Sequence, residues 1–357
     1  MLRHKTPHSI RSATQEHTEQ ESAVPSTGRY VHQVSRPDGF PAAGNFAFIE
    51  DTIPVPGPGT ALVENIYLSV DPYMRQMMDG VWDLHTPLEG RSTGRIVESN
   101  DPRLPVGEVV FHRQGWRTHA VISPSEPPVR VLPKLDGVPL STYLSILGGT
   151  GLSAYVGLTR IADLKAGESV FISAAGGGVG TAAGQLARVL GAGRVIGSTG
   201  SAAKVKHLIE DLGFDAAFSY KDAPVIDQLR QAAPDGIHVY LDNVGGDHLE
   251  AAIDSMVDHG RIAWCGAIAQ YHRTEPPAAP RNLFDIGGKS IRLEGFAVRE
   301  YPHLFDEWAE FIVPHLQSGR VVPDHTIVAG FDRVVDAFLG LLRGENSGKM
   351  IVQTEAE

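Results

Sequence analysis

Two textures alternate along the chain. From residue 28 to about 140, short apolar stretches are separated by proline- and glycine-rich turns: TALVENIYLSV, GRIVES, GEVVFH, THAVIS and VRVLP. Short strands at this spacing predict a β-rich unit, a barrel or sandwich. From about 141 to 317, apolar strands alternate with segments whose apolar residues recur at helical spacing. SVFISA precedes TAAGQLARVLG, RVIGST precedes AAKVKHLIEDLG, and HVYLDNV precedes the helical pattern HLEAAIDSMVDHG and the strand RIAWCGA. That alternation predicts a parallel sheet with helices on both faces. The short-strand texture returns from 318, in DHTIVAGF and GKMIVQ. The predicted architecture is a β-rich domain (28–140 and 318–357) interrupted by a doubly wound α/β domain (141–317), without internal repeats. Residues 1–27 are polar and predict a disordered tail. They hold no apolar segment of the kind a secretory signal needs. Glu16, Glu19 and Glu21 also argue against a mitochondrial transit peptide.

The junction SVFISA/SAAGGGVGT draws attention because glycine weakens regular structure. Beyond the glycines, Val179, Ala182, Ala183, Leu186, Val189 and Leu190 fall on one helix face. The cluster therefore sits in a strand-to-helix turn, where unpaired amides and the helix dipole favour a pyrophosphate. Gly177 and Gly180 would admit close approach of phosphates and of helix to strand. A tight turn with small packing residues is the plainer reading; the following αβ units favour dinucleotide binding. NAD-binding sheets usually end their second strand in an acid that bonds the ribose 2′-hydroxyl. RVIGSTGSAAK has none, and Lys204 follows, so NADP(H) is expected, with Lys204 meeting the 2′-phosphate as a point charge. A solvated helix lysine is the alternative.

Composition narrows the classes. Formal net charge is -11 without a long basic run, which speaks against wrapping nucleic acid. No apolar run reaches the ~18 residues of a membrane-spanning helix. The single cysteine, Cys265, excludes an intrachain disulfide and a zinc site of several thiolates. A reducing, cytoplasmic setting is expected. His112, His119 and His259 are the remaining thought for zinc, but no cysteine pattern of a zinc alcohol dehydrogenase accompanies them, so no metal is expected.

The segments NIYLSVDPYMR, GLSAYVGL, GFDAAFSYKD, PDGIHVYLDNVGG, CGAIAQYH, PPAAPRNL, LEGFAV and GENSGKMIV, spread over residues 28–353, resemble a known family. It is the zinc-independent medium-chain dehydrogenase/reductases, specifically the leukotriene B4 12-hydroxydehydrogenase/prostaglandin reductase group with its alkenal double-bond reductases. The resemblance implies a GroES-like β-rich catalytic domain with an inserted Rossmann domain. It also implies NADPH as hydride donor, a C=C bond conjugated to a carbonyl as substrate, and a homodimer. Carried over by residue, Gly177, Val179 and Gly180 match the pyrophosphate turn. Lys204 and Tyr220 match 2′-phosphate contacts, and Asn243 matches a contact on the nicotinamide side. The stretch from Cys265 to Tyr271 matches the loop over the nicotinamide ribose. Asn346 matches a cofactor contact from the returning segment, and Tyr73 and Tyr271 match residues of the substrate pocket.

Plainer roles stand beside these. Tyr220 is also readable as a packed tyrosine, Asn243 as a turn residue before two glycines, and Asp71-Pro72 as a helix start with Asp71 as N-cap. Two places depart from the family pattern: Gly149-Thr150 stand where a Met-Pro pair is usual, and the approach to GRIVES reads LEGRST. The expected chemistry is hydride delivery to the β-carbon of an enone or enal, with Tyr271 donating to the carbonyl oxygen as negative charge builds. Quinone reduction on the same fold, alcohol oxidation, and a non-catalytic NADPH-binding sensor are the rivals.

Overall fold

The computed structural model describes residues 26–126, 128–271, 275 and 279–355. The predicted tail lies outside the described residues up to residue 25, and Thr27 already opens the first strand. Strands β1 (Thr27–Gln33) and β2 (Phe46–Thr52) pair antiparallel. Strand β3 (Ala61–Ser69) leads through the short helix α1 (Met74–Met77) to β4 (Ser92–Ser99), β5 (Val109–His112), β6 (His119–Ile122) and β7 (Arg130–Val131). These are the short strands that the turn-punctuated texture predicted.

Helix α2 (Gly149–Val156) enters the alternating region. There follow β8 (Ser169–Ile172), α3 (Gly178–Val189), β9 (Arg194–Thr199), α4 (Ala202–Glu210), β10 (Ala216–Ser219), α5 (Val225–Ala232), β11 (Ile237–Asp242), α6 (Gly246–Ser255), β12 (Met256–Trp264), α7 (Asp285–Gly288), β13 (Arg292–Gly295) and α8 (Phe305–Gln317). The six strands run parallel in the order β10-β9-β8-β11-β12-β13. Counted from β8 this is 3-2-1-4-5-6, the doubly wound order that places a ligand crevice between its two halves. Strand β14 (His325–Ala329), α9 (Val334–Arg343) and β15 (Lys349–Gln353) then return to the first sheet, whose order is β14-β15-β3-β4-β5-β7 with β6 also against β3.

One prediction fails. The helical pattern HLEAAIDSMVDHG continues to residue 260, but α6 stops at Ser255 and Met256 already pairs with Ile237 of β11. His259 takes the left-handed φ of +60°, and the β11–β12 register shifts there. The buried Met256 is held by pairing inside the sheet, against β11, rather than by a helix face.

Packing ties the two sheets together at the site. Ala182, Ala183, Leu186 and Ala187 of α3 are buried in one core with Val170 and Ile172 of β8, Trp308 of α8 and Ile351 of β15. The Trp308 indole donates to the Ile146 carbonyl at 3.1 Å. Gly348 donates its N–H to the Gly176 carbonyl at 3.0 Å, so β15 is bonded directly to the glycine turn.

His112 supports the first sheet as a neutral group. It is fully buried; one ring nitrogen pairs with Asn65 Oδ1 at 2.8 Å and the other accepts from the Gln114 amide. Burial pushes its pKa down to about 3. Because the unfolded chain binds this proton first, its contribution is complete above about pH 6.5 and is lost as pH falls toward 3. Between pH 7 and 5 the native state loses about 2 kcal/mol through this group alone. Urea unfolding at the two pH values checks this; His112→Gln is expected to flatten that part of the pH slope.

Candidate functional site

The site is assembled around the turn between β8 and α3. Ala174 takes φ +47°, which bends the chain sharply, and Gly177 caps α3 while its amide bonds Ala174 O at 2.9 Å. At Gly180 an added Cβ would stand 2.5 Å from Ala174 O and Ala175 Cα, so only glycine lets the helix close onto the strand. Val179 is partly buried and packs against the core. The first-turn amides of α3 have no intrahelical partners, and the helix dipole is positive there. A pyrophosphate fits this end.

Beyond the turn, at the head of α4, Ser201 accepts from the Lys204 amide and caps the helix. Lys204 lies against Gly176, and its Nζ donates to Gly344 O at 2.8 Å. Burial, then the charge of Lys221, holds its pKa below the usual lysine range. Tyr220 is 44% exposed, so it is not the packed core residue of the plainer reading. Its ring lies edge-on to His248 at 5.6 Å and 5.9 Å from Lys221 Nζ. Two lysines, a serine and a tyrosine hydroxyl at a helix N-terminus can hold a phosphate monoester. Lys221 was not singled out from the sequence, though it directly follows Tyr220.

At the carboxyl ends of β8 and β11, Asp242 organises two loops. Its Oδ1 accepts from the Val244 and Gly245 amides at 2.8 Å each and from Tyr240 Oη at 2.7 Å. Its backbone oxygen accepts from the Cys265 and Gly266 amides. Asn243 is bound to the end of the neighbouring strand β8: its amide donates to Ser173 Oγ at 2.9 Å and its Nδ2 donates to Ser173 O at 2.8 Å. The turn-forming role is therefore present, and only the Oδ1 side remains for another molecule. Burial pushes the Cys265 thiol up to about 12, so it is a neutral group near neutral pH. Tyr271 ends a short 3₁₀ turn (Ile268–Gln270), and its Oη accepts weakly from the Ala267 amide at 3.4 Å. Burial raises its pKa, so the hydroxyl keeps its proton, and no described residue accepts that proton.

Asn346 is buried and donates Nδ2 to Gly348 O at 2.6 Å, fixing the loop that reaches the glycine turn. Tyr73 stands on the β-rich side. Its Oη is buried without a hydrogen-bond partner, and burial pushes its pKa up to about 12. Asp71 is not a helix cap. Helix α1 starts at Met74 without a side-chain cap bond, and the Asp71 carboxylate instead meets Ser69 Oγ at 2.6 Å, Arg91 at 3.3 Å and Lys349 at 3.3 Å. Burial alone would raise this carboxyl, but the Lys349 and Arg91 charges outweigh it and hold it below the usual range. Neither Arg91 nor Lys349 was anticipated, because their partner lies far away in sequence.

The glycine turn, Lys204 and Asn346 thus meet around Gly176 and Gly348, while Asn243, Cys265 and Tyr271 share the Asp242 loops. Among the described residues, no group of three or more His, Cys, Asp or Glu is arranged to hold a metal ion, and no helix is long and apolar enough to cross a membrane.

Comparison with known proteins places this geometry. Residues 29–129 match the family model described as the N-terminal domain of oxidoreductase, and residues 178–317 match that of zinc-binding dehydrogenase. The chain is 38% identical to an NADP(+)-dependent 2-alkenal reductase of Nicotiana tabacum, over 84% of this chain and 89% of that protein. It is 38% identical to prostaglandin reductase 1 of Mus musculus, over 88% and 96%. The crystal structure of CurA from Vibrio vulnificus in complex with NADPH superposes with a TM-score of 0.86 at 33% identity, covering 92% of this chain and all of that one.

Proposed function

We infer the reaction from kinship and geometry together: the chain belongs to the zinc-independent medium-chain dehydrogenase/reductases, in their alkenal and prostaglandin reductase group. It is an NADP(H)-dependent oxidoreductase that reduces a C=C bond conjugated to a carbonyl. The observation that carries this is the match, over most of the chain, to NADP-dependent reductases of such bonds. The glycine turn, whose Gly180 leaves no room for a side chain, fits the cofactor.

Gly177, Val179 and Gly180 would hold the pyrophosphate, and Lys204 with Tyr220 the 2′-phosphate. Asn243, Cys265 and Asn346 would line the remainder. NADPH, when bound, supplies the hydride that the substrate β-carbon accepts. Tyr271 donates its hydroxyl proton as a hydrogen bond to the carbonyl oxygen, where negative charge collects as the enolate forms. Its neutral state suits that task, since a phenolate would repel the enolate. Protonation at the α-carbon then comes from the Tyr271 hydroxyl or from water. Tyr73 would supply a second hydroxyl, one that has no partner among the described residues.

A homodimer and a cytoplasmic setting complete the proposal. Strand β13 ends the parallel sheet as a free edge that a second copy can meet. The proposed domains are a catalytic one formed by 28–140 and 318–357 and a cofactor-binding one formed by 141–317. The test is NADPH consumption, read by absorbance, against a 2-alkenal, an aromatic enone, a prostaglandin-like enone and a quinone. Turnover of the alkenal or enones is expected; consumption with the quinone alone would move the assignment to quinone reduction.

A further inference from the structure

The two places where the sequence departs from its family pattern meet in space. Arg91 lies in the altered segment LEGRST, and Gly149 replaces the first residue of the usual Met-Pro pair. An added Cβ at Gly149 would stand 3.6 Å from Cζ, Nε and Nη2 of Arg91 alike. Equal distances to three atoms of a planar group put that position over its face. Glycine therefore leaves a methyl-sized space between the guanidinium face and the first residue of α2.

The surrounding charges do not balance. Asp71 is the carboxylate shared by Arg91 and Lys349, at 3.3 Å each. Lys349 is otherwise satisfied, donating Nζ to Val70 O at 2.5 Å and Met350 O at 2.8 Å. The next acid, Glu89, is held by Arg113 through two 3.0 Å bonds. Among the described residues Asp71 is the acid that Arg91 pairs with, through Nη1, and its side chain is 23% exposed while Asp71 and Lys349 are nearly enclosed. Its guanidinium also stands 5.4 Å from the centre of the Tyr73 ring, whose buried hydroxyl has no partner. A mostly buried positive charge that shares its one carboxylate is stabilised by a further anion at its exposed edge, and planar carboxylates match that edge in shape.

We infer that Arg91 recognises an anionic group of the substrate, so that this protein prefers enones or enals bearing a carboxylate over their neutral counterparts. The inference rests on the double-bond reduction proposed above and names its substrate class. Gly149 makes the room, Tyr73 supports the guanidinium and offers a second donor, and Asp71 fixes the arginine from behind. The cluster binds and orients; the hydride and proton steps are those of the reaction itself.

The test compares acetylacrylate, an enone carrying a carboxylate, with its methyl ester, in the wild type and in Arg91→Met. Dividing the two kcat/KM values removes the intrinsic reactivity difference, because both enzymes meet the same pair. The acid-to-ester ratio is expected to fall about tenfold to a hundredfold in the variant, with the ester changed by less than about twofold. Binding of levulinate, the saturated acid, to the NADP⁺-loaded protein is expected to weaken by a similar factor. A ratio unmoved by the substitution overturns the inference. So does a variant whose only change is a higher KM for NADPH, which would make Arg91 a cofactor contact. Should neither compound be reduced by the wild type, the reduction reading fails. The levulinate titration then still decides whether Arg91 binds a carboxylate.

Discussion

Tyr271→Phe is expected to lower kcat on a conjugated ketone by about two to three orders of magnitude, the loss seen when one oxyanion donor is removed. The proposed role is that of a donor. Among the described residues the Tyr271 hydroxyl's hydrogen bond is a weak 3.4 Å contact accepted from the Ala267 amide, so its loss costs the fold little. Burial keeps it protonated, which leaves the proton to be given to a substrate oxygen. The loss should fall on kcat, because negative charge on the carbonyl oxygen is greatest in the transition state and the ground-state ketone needs the hydrogen bond less. Thermal midpoint and NADPH affinity should match the wild type. Full activity in the variant would remove Tyr271 from the chemistry and move attention to Tyr73, whose buried hydroxyl has no partner among the described residues.

The second large effect concerns the choice of cofactor. Lys204→Ala is expected to lower kcat/KM for NADPH by about tenfold to a hundredfold while leaving NADH within about twofold. NADH lacks the phosphate that the ammonium would meet, so a change confined to NADPH isolates that contact. Lys204 also donates to Gly344 O, and loss of that partly exposed bond costs about 1 kcal/mol of stability. A modest fall in thermal midpoint is therefore expected and does not explain a cofactor-selective effect. Equal losses with both cofactors would assign Lys204 a structural role. Lys221, 5.9 Å from the Tyr220 ring centre, would sustain residual NADPH preference.

How much of this could be read beforehand differs by length scale. The strands RVIGST and GKMIVQ, and the glycine turn between SVFISA and its helix, follow from local periodicity, and the structure places them close to the predicted bounds. The end of α6 was misjudged because apolar spacing continues through Met256, while a long-range pairing with Ile237 decides the backbone. Asp71 was misjudged for the same reason. Its local sequence reads as a helix cap, but a lysine 278 positions later claims the carboxylate. The residues proposed for the cofactor side lie in short contiguous segments, which is why a local reading of the sequence can single them out. The Asp71–Arg91–Gly149–Lys349 cluster draws one residue from each of four distant segments, so no window of the sequence displays it. Its signal was indirect: Gly149 and the LEGRST segment stood out as departures, and the fold brings them together.

The central claim is that this protein moves a hydride from NADPH to the β-carbon of a conjugated carbonyl compound. The most direct measurement uses NADPH carrying deuterium at the transferred position, an enone substrate, and nuclear magnetic resonance of the product. Deuterium at the β-carbon of a saturated ketone, with a solvent-derived proton at the α-carbon, is the predicted result. Deuterium on the carbonyl carbon of an alcohol, or an enone returned unlabelled while the cofactor stays bound, would contradict it.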